Sequence, residues 1–73
     1  MNRIRRKALQ SIYDRLEALQ TELEELACEE EEARDNIPES FSERVEAADE
    51  ICDALDEAVN SLSDAVITLE ELL

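Results

Sequence analysis

Apolar residues recur along this chain in two runs, each with the spacing of a helix. The second run continues without a break for almost five heptads. Alternating steps of three and four residues are the mark of an amphipathic helix with a single packing seam. The first run consists of Leu9, Ile12, Leu16, Leu19, Leu23 and Leu26, and the second of Phe41, Val45, Ala48, Cys52, Leu55, Val59, Leu62, Val66, Leu69 and Leu73. The pattern therefore predicts two long helices that pack along their length.

The segment between the two runs predicts a turn. The first seam breaks at Glu30, and Pro38, the only proline, pushes the residue before it out of the helical region. Ser40 and Glu43 have the spacing of a capping box, with Asn36 and Glu39 as a weaker alternative, and Pro38 suits a first helical turn. We expect a single domain over 1–73: an all-α, two-helix antiparallel hairpin with a helix over about 3–35, a turn over about 36–40 and a helix over about 40–73.

The predicted hairpin turns near residue 38, so residues at equal distance from that point lie opposite each other. The cations of the basic tip, residues 3–7, then lie beside Glu70 and Glu71 at the negative end of the second helix. The same axis places Cys28 level with residue 48, about 6 Å short of Cys52 along the helix. We expect no disulfide between the two cysteines.

The second helix is too apolar for one partner helix. Beside its seam, the g positions read Ile51, Ala58, Ala65 and Leu72, with Ala47 and Ala54 nearby. An exposed apolar stripe on a small protein usually marks an interface, and small residues let helices approach closely. We expect two hairpins to form a homodimeric four-helix bundle, with self-association through Ile51, Ala58, Leu62 and Ala65.

Composition narrows the function classes. The 73 residues include no histidine, and no serine, cysteine or aspartate has a base beside it, so we expect no enzyme activity. Two cysteines do not make a structural zinc site, and the run of four glutamates from Glu29 lacks the ligand pattern of a calcium loop. We expect no metal and no cofactor. No long apolar run follows the basic start, so we expect neither a membrane helix nor a secretory signal. The expected location is therefore the cytoplasm.

Acidic residues dominate the charge. The net charge is −14, and residues 8–73 hold three arginines against all 21 acids. Such a surface repels nucleic acid and attracts basic protein surfaces. The second helix carries an acidic stripe that we take as the candidate partner-binding surface, and it is formed by Glu43, Glu46, Asp49, Glu50, Asp53, Glu57 and Asp64. Tyr13 and Ile67, both expected to point outward, form a candidate apolar contact.

The segment from Glu30 to Ser40 resembles a linker found in short acidic proteins. As in those proteins, a basic helix precedes it and a helix rich in Ala, Leu and Glu follows it. Those proteins are encoded in prophages and mobile elements of Gram-positive gut bacteria, and the linker reads E-E-x-A-x-D-N-hydrophobic-P-E-S. The resemblance implies an accessory protein of phage type, in the cytoplasm of a bacterial host. Small acidic proteins of that setting are often inhibitors of host defence.

Three functions remain open at this stage. The first is a non-enzymatic inhibitor or decoy whose acidic stripe mimics nucleic acid and binds a basic host protein. The second is a structural or adaptor coiled coil in phage assembly or regulation, with the acids serving solubility. The third is a small DNA-associated regulator that works through the basic tip, although four cations in front of an acidic body bind phosphates weakly.

Overall fold

The computed structural model describes all 73 residues as two helices and no strands, which confirms the all-helical prediction. Helix α1 spans Arg3–Asp35 and α2 spans Ser42–Glu70. They pack side by side as a hairpin 59 Å long and only 14 by 12 Å across. Neither helix is long and apolar enough to cross a membrane.

Helix α1 begins at a side-chain cap. The Asn2 side chain accepts a hydrogen bond from the Arg5 backbone N–H at 2.8 Å. This bond satisfies one of the backbone donors that the first helical turn leaves unpaired. Since the first five residues of the helix contain four cations and no acid, the cap is the favourable local interaction there.

The connection between the helices differs from the predicted capping box. The α2 N-cap is Phe41, which makes no side-chain cap hydrogen bond, so the prediction that Ser40 caps α2 is wrong. Pro38 does not open the helix either. Its carbonyl accepts from the Phe41 N–H at 2.9 Å, which closes a turn ahead of α2. The guanidinium of Arg44 lies 5.2 Å from the centre of the Phe41 ring, within the range of a cation–π interaction.

The connection spans residues 36–41, but the two helices pair in a different register from the one predicted. Arg34 pairs with Asp49, Ala27 and Asp56 line one groove, and Gln10 lies in a groove with Leu73. These pairs place the axis near Phe41, so the axis predicted near residue 38 is wrong. The basic tip lies beyond the level of Leu73, and its cations form no ion pair with Glu70 or Glu71.

The seam of α1 is also rotated from its predicted phase. Leu9, Leu16 and Leu23 face α2 as expected, but Ile12, Leu19 and Leu26 are exposed. Their places in the seam are taken by half-buried Tyr13, Gln20 and Ala27, so the expectation that Tyr13 points outward is wrong. Toward the turn, the seam positions of α1 are occupied by charged residues, the half-buried Glu30 and Arg34.

A reason for the rotation lies in the shape of the apolar stripe on α1. Its two columns, Leu9–Leu16–Leu23 and Ile12–Leu19–Leu26, are neighbours on the helix surface, and only one of them can lie at the centre of the contact with α2. The observed phase brings Arg34 to Asp49 and leaves the second column on one flank of the hairpin. The contact between the helices is therefore thin, and Val66 alone is buried, with 7% of its surface exposed.

Candidate interaction faces

The hairpin has two long flanks, which differ sharply in chemistry. In α1, the residues that follow the seam leucines are Glu17 and Glu24, and in α2 the residue that follows Leu55 is Asp56. Glu24, Glu31 and Asp56 line one groove, so these columns of the two helices share a side of the hairpin. We call this flank the acidic face, and its six central positions are Glu17, Glu24, Glu31, Asp49, Asp56 and Glu70.

The opposite flank carries apolar side chains from both helices. Residues that precede a seam position point away from the acidic face, because each residue turns the helix by about 100°. Ile12 precedes Tyr13 in α1, and Ala58 precedes Val59 in α2. We call this flank the apolar face, and it consists of Ile12, Leu19, Leu26 and Ala33 of α1 with Ile51, Ala58, Ala65 and Leu72 of α2, all of them exposed.

The two apolar columns are in register across the hairpin. Because Ala27 lies opposite Asp56, Leu26 comes level with Ala58, and Leu19 comes level with Ala65. One helix supplies a large side chain where the other supplies a small one. The result is a continuous apolar strip along most of the 59 Å length of the hairpin.

The acidic face has almost no compensating charge. Ion pairs within the hairpin involve one cation, Arg34, which donates to Asp49 and to Asp35. The hydrogen bond to Asp49 is the main cause that raises the pKa of the Arg34 guanidinium. Asp49 of the predicted acidic stripe is therefore partly neutralised. The other members, Glu43, Glu46, Glu50, Asp53, Glu57 and Asp64, are exposed.

Partial burial and the negative charge of the acidic face raise the pKa values of two side chains in the seam, the Cys52 thiol and the Tyr13 hydroxyl. Partial burial is the first cause that raises the pKa of the Cys52 thiol, and the nearby carboxylates of Glu30, Glu31 and Asp56 raise it further. Partial burial also raises the pKa of the Tyr13 hydroxyl, with Glu17 and Glu70 as the next causes. Glu17 lies on α1 and Glu70 on α2, so the two helices place their acids around the same groups.

Sequence reasoning placed the acidic surface on α2 alone and missed the contribution of α1. The predicted seam put Glu17, Glu24 and Glu31 away from the partner helix. The sequence does contain a signal for these three glutamates: they recur every seven residues, as Asp49 and Asp56 do on α2. Ile67 does point outward as expected, but Tyr13 lies in the seam, so the two do not form one exposed contact. Leu62 is half-buried against α1, whereas Ile51, Ala58 and Ala65 lie on the apolar face.

The hairpin offers only open concavities. The largest, about 400 Å³, lies at the turn and is lined mainly by charged and polar side chains, including Arg34, Glu39 and Glu46. No group of three or more acidic or cysteine side chains is arranged to hold a metal ion. Cys28 and Cys52 are free thiols. Long surfaces, rather than cavities, are the features available for function.

Comparison with known proteins finds no family model, no curated protein and no solved structure that matches the chain.

Proposed function

We propose that the protein is a non-enzymatic binding protein whose acidic face occupies a basic, nucleic-acid-binding surface of a host protein, as an inhibitor or decoy of phage or mobile-element type. The acidic face supports this proposal because its carboxylates come from both helices and face one another across the hairpin. Carboxylates three or four residues apart on a helix lie about 5–6 Å from each other, close to the spacing of phosphates along a nucleic-acid strand.

The main observation behind the proposal is that the acidic face works against the stability of the hairpin. Positions that flank a helix seam usually carry opposite charges, which pair across the two helices. Here Glu24, Glu31 and Asp56 line the same open groove, where like charges stand in place of opposite ones. A surface that served solubility alone would not need like charges at these positions. Surfaces that lower stability without local compensation are expected at functional sites.

The second part of the proposal is that two hairpins pair through the apolar face into a four-helix bundle in the cytoplasm of the host. A compact chain of 8.3 kDa exposes about 4,600 Å². The hairpin exposes 5761 Å², a large excess with a continuous apolar strip inside it. Its long face of 59 by 14 Å is on the order of the 800 Å² per partner that a stable interface buries.

Neutralising the acidic face tests the function. The test variant carries Glu24→Gln, Glu31→Gln and Asp56→Asn, and its control, Asp14→Asn, Glu25→Gln and Glu32→Gln, removes the same charge from the side of α1 that lies away from both faces. Both are used to capture proteins from a bacterial lysate at about 0.1 M salt, with elution by a short DNA duplex or by about 0.5 M salt. We expect the wild type and the control to capture a nucleic-acid-binding protein that DNA elutes, and the test variant to lose it.

The same variants report the stability cost. Relief of like-charge pairs is worth a few tenths of a kcal/mol each, so the test variant should melt at a higher temperature than the wild type while binding less. Retention of the partner by the test variant, or a partner that DNA does not displace, would contradict the proposal.

A structural or adaptor role is the second candidate, and the apolar face is the observation that favours it. If that face binds a helix of a different protein, the acids serve solubility and the triple amide variant loses no partner. Disruption of the apolar face by Ala58→Glu would then abolish capture. Ala58 is suited to this test because it lies on the apolar face, whereas Leu62→Glu would also disturb the seam within the hairpin.

A further inference from the structure

Two hairpins can pair through the apolar face in only two symmetric ways, and this inference rests on the self-association proposed above. A twofold axis along the helices puts both turns at the same end and stacks α1 on α2 of the partner. A twofold axis across the helices puts the turns at opposite ends and stacks α1 on α1 and α2 on α2. Both arrangements make neighbouring helices antiparallel, so packing direction does not choose between them.

We propose that the two hairpins pair head to tail, with their turns at opposite ends of the bundle. The basic tip of each chain then lies over the turn of its partner, and the second copy supplies the countercharge that the tip lacks in its own hairpin.

The first argument is the charge at the two ends. The tip carries Arg3, Arg5, Arg6 and Lys7, none of which forms an ion pair within its own hairpin. At the other end, residues 29–46 hold eight acids and two arginines. Turns at the same end would gather eight cations at one end of the bundle and sixteen acids at the other. The head-to-tail arrangement places opposite charges together at both ends, which is the favourable alignment.

The second argument comes from the column of α1 that borders the apolar face, which reads Ala8, Arg15, Glu22 and Glu29. The centre of the apolar face lies midway between Leu19 and Leu26. A crosswise axis through that centre brings Arg15 to nearly the same level as the partner's Glu29. This attractive pair occurs twice by symmetry, against a single like-charge contact between Glu22 and the partner's Glu22 on the axis. The lengthwise axis instead brings Arg15 opposite the uncharged Thr68 of the partner.

The third argument is the matching border column of α2, which reads Ala47, Ala54, Ser61 and Thr68. None of these residues is charged and none is large. Around the crosswise axis, Ala58 meets Ala65 of the partner subunit, Ser61 meets the partner's Ser61, and Ala54 meets the partner's Thr68. Small side chains at a helix crossing allow the backbones to come close, while Leu19 and Leu26 fill the wider α1 side.

Distances between spin labels test the arrangement. In a background with Cys28→Ser and Cys52→Ala, Ser40→Cys labels the turn and Asn60→Cys labels the middle of α2, on the side away from the apolar face. Head-to-tail pairing predicts a distance between the two Ser40→Cys labels on the order of 55 Å, since the turns lie a molecule length apart at 1.5 Å per residue. Turns at the same end predict less than about 25 Å, from interaxial spacings of 8–10 Å.

The Asn60→Cys label distinguishes a dimer with the other arrangement from the absence of a dimer. It lies near mid-length, so any dimer gives it a short distance of about 20–35 Å. A short Asn60→Cys distance with a long Ser40→Cys distance supports the proposal. Short distances at both sites overturn the head-to-tail arrangement but keep the dimer. No dipolar signal at Asn60→Cys overturns the self-association itself, and this inference with it.

A charge exchange checks the named contact independently. Arg15→Glu or Glu29→Arg alone should weaken the dimer about 10-fold, because each creates two repulsive pairs from two attractive ones. The double variant Arg15→Glu with Glu29→Arg restores both pairs and should bind within about 2-fold of the wild type. If the double variant is no tighter than the single variants, the pairing of Arg15 with the partner's Glu29 is wrong.

Discussion

Cys28 and Cys52 differ in environment although both are free thiols. Cys28 is exposed on α1, whereas Cys52 is half-buried in the seam among carboxylates. The reactive form of a cysteine is the thiolate, and the surroundings of Cys52 disfavour it. We predict that iodoacetamide modifies Cys28 several times faster than Cys52 at pH 8, measured by peptide mass spectrometry. Equal rates in the folded protein, with the urea-unfolded chain as reference, would contradict the structure.

The raised pKa values of Cys52 and Tyr13 also predict the effect of alkaline pH. Both groups hold their protons more tightly in the folded chain than at the ordinary values of 9.0 and 10.0. Their contribution to stability is complete below about pH 9 and is lost as the pH rises through the folded pKa values. The melting temperature should therefore fall above pH 9, and Cys52→Ala should reduce that fall. A melting temperature that rises from pH 9 to pH 11 would contradict this.

At the scale of the element, the start of α2 gives a clear test. Ser40 makes no cap hydrogen bond, because Phe41 is the N-cap. A true serine N-cap loses about 1 kcal/mol on substitution by alanine. We predict that Ser40→Ala changes the free energy of unfolding by less than about 0.3 kcal/mol, as ordinary surface substitutions do. A urea titration that shows a loss near 1 kcal/mol would restore the capping box.

The helices themselves were predictable, because heptad spacing and a single proline are local signals. The rotation of α1 was not. Ile12, Leu19 and Leu26 have the same spacing as Leu9, Leu16 and Leu23, and the periodicity alone does not say which column faces α2. The choice depends on contacts between the helices, such as that of Arg34 with Asp49. The composition of the acidic face followed from that choice. The predicted stripe shares only Asp49 with this face and includes none of its α1 residues.

At the scale of the whole molecule, the charge of −14 should make stability depend on salt. Added salt screens exposed like charges that lie within about 10 Å at 0.1 M. We predict that the melting temperature rises by about 5 °C or more between roughly 0.05 and 0.5 M NaCl. The rise should be smaller for the variant with Glu24→Gln, Glu31→Gln and Asp56→Asn. A melting temperature that stays flat or falls would mean that repulsion across the acidic face is unimportant.

Self-association would determine where the two acidic faces lie in the bundle. Pairing through the apolar face leaves both acidic faces on the outside of the bundle, one on each flank. Each would extend along nearly the full 59 Å of the hairpin. In the proposed bundle the apolar face would fix the architecture, and the acidic face would remain open for the proposed partner.

The central claim is that the apolar face is buried against a second copy, and sedimentation equilibrium tests it most directly. Leu19 lies on the apolar face and Ile67 on the far side, and their exposures within the hairpin are nearly equal, at 53% and 52%. We predict that the wild type and Ile67→Gln sediment at twice the 8.3 kDa of one chain, while Leu19→Gln dissociates. A wild type that sediments at 8.3 kDa with full helicity at about 100 μM, a concentration that captures even weak pairing, would contradict the account.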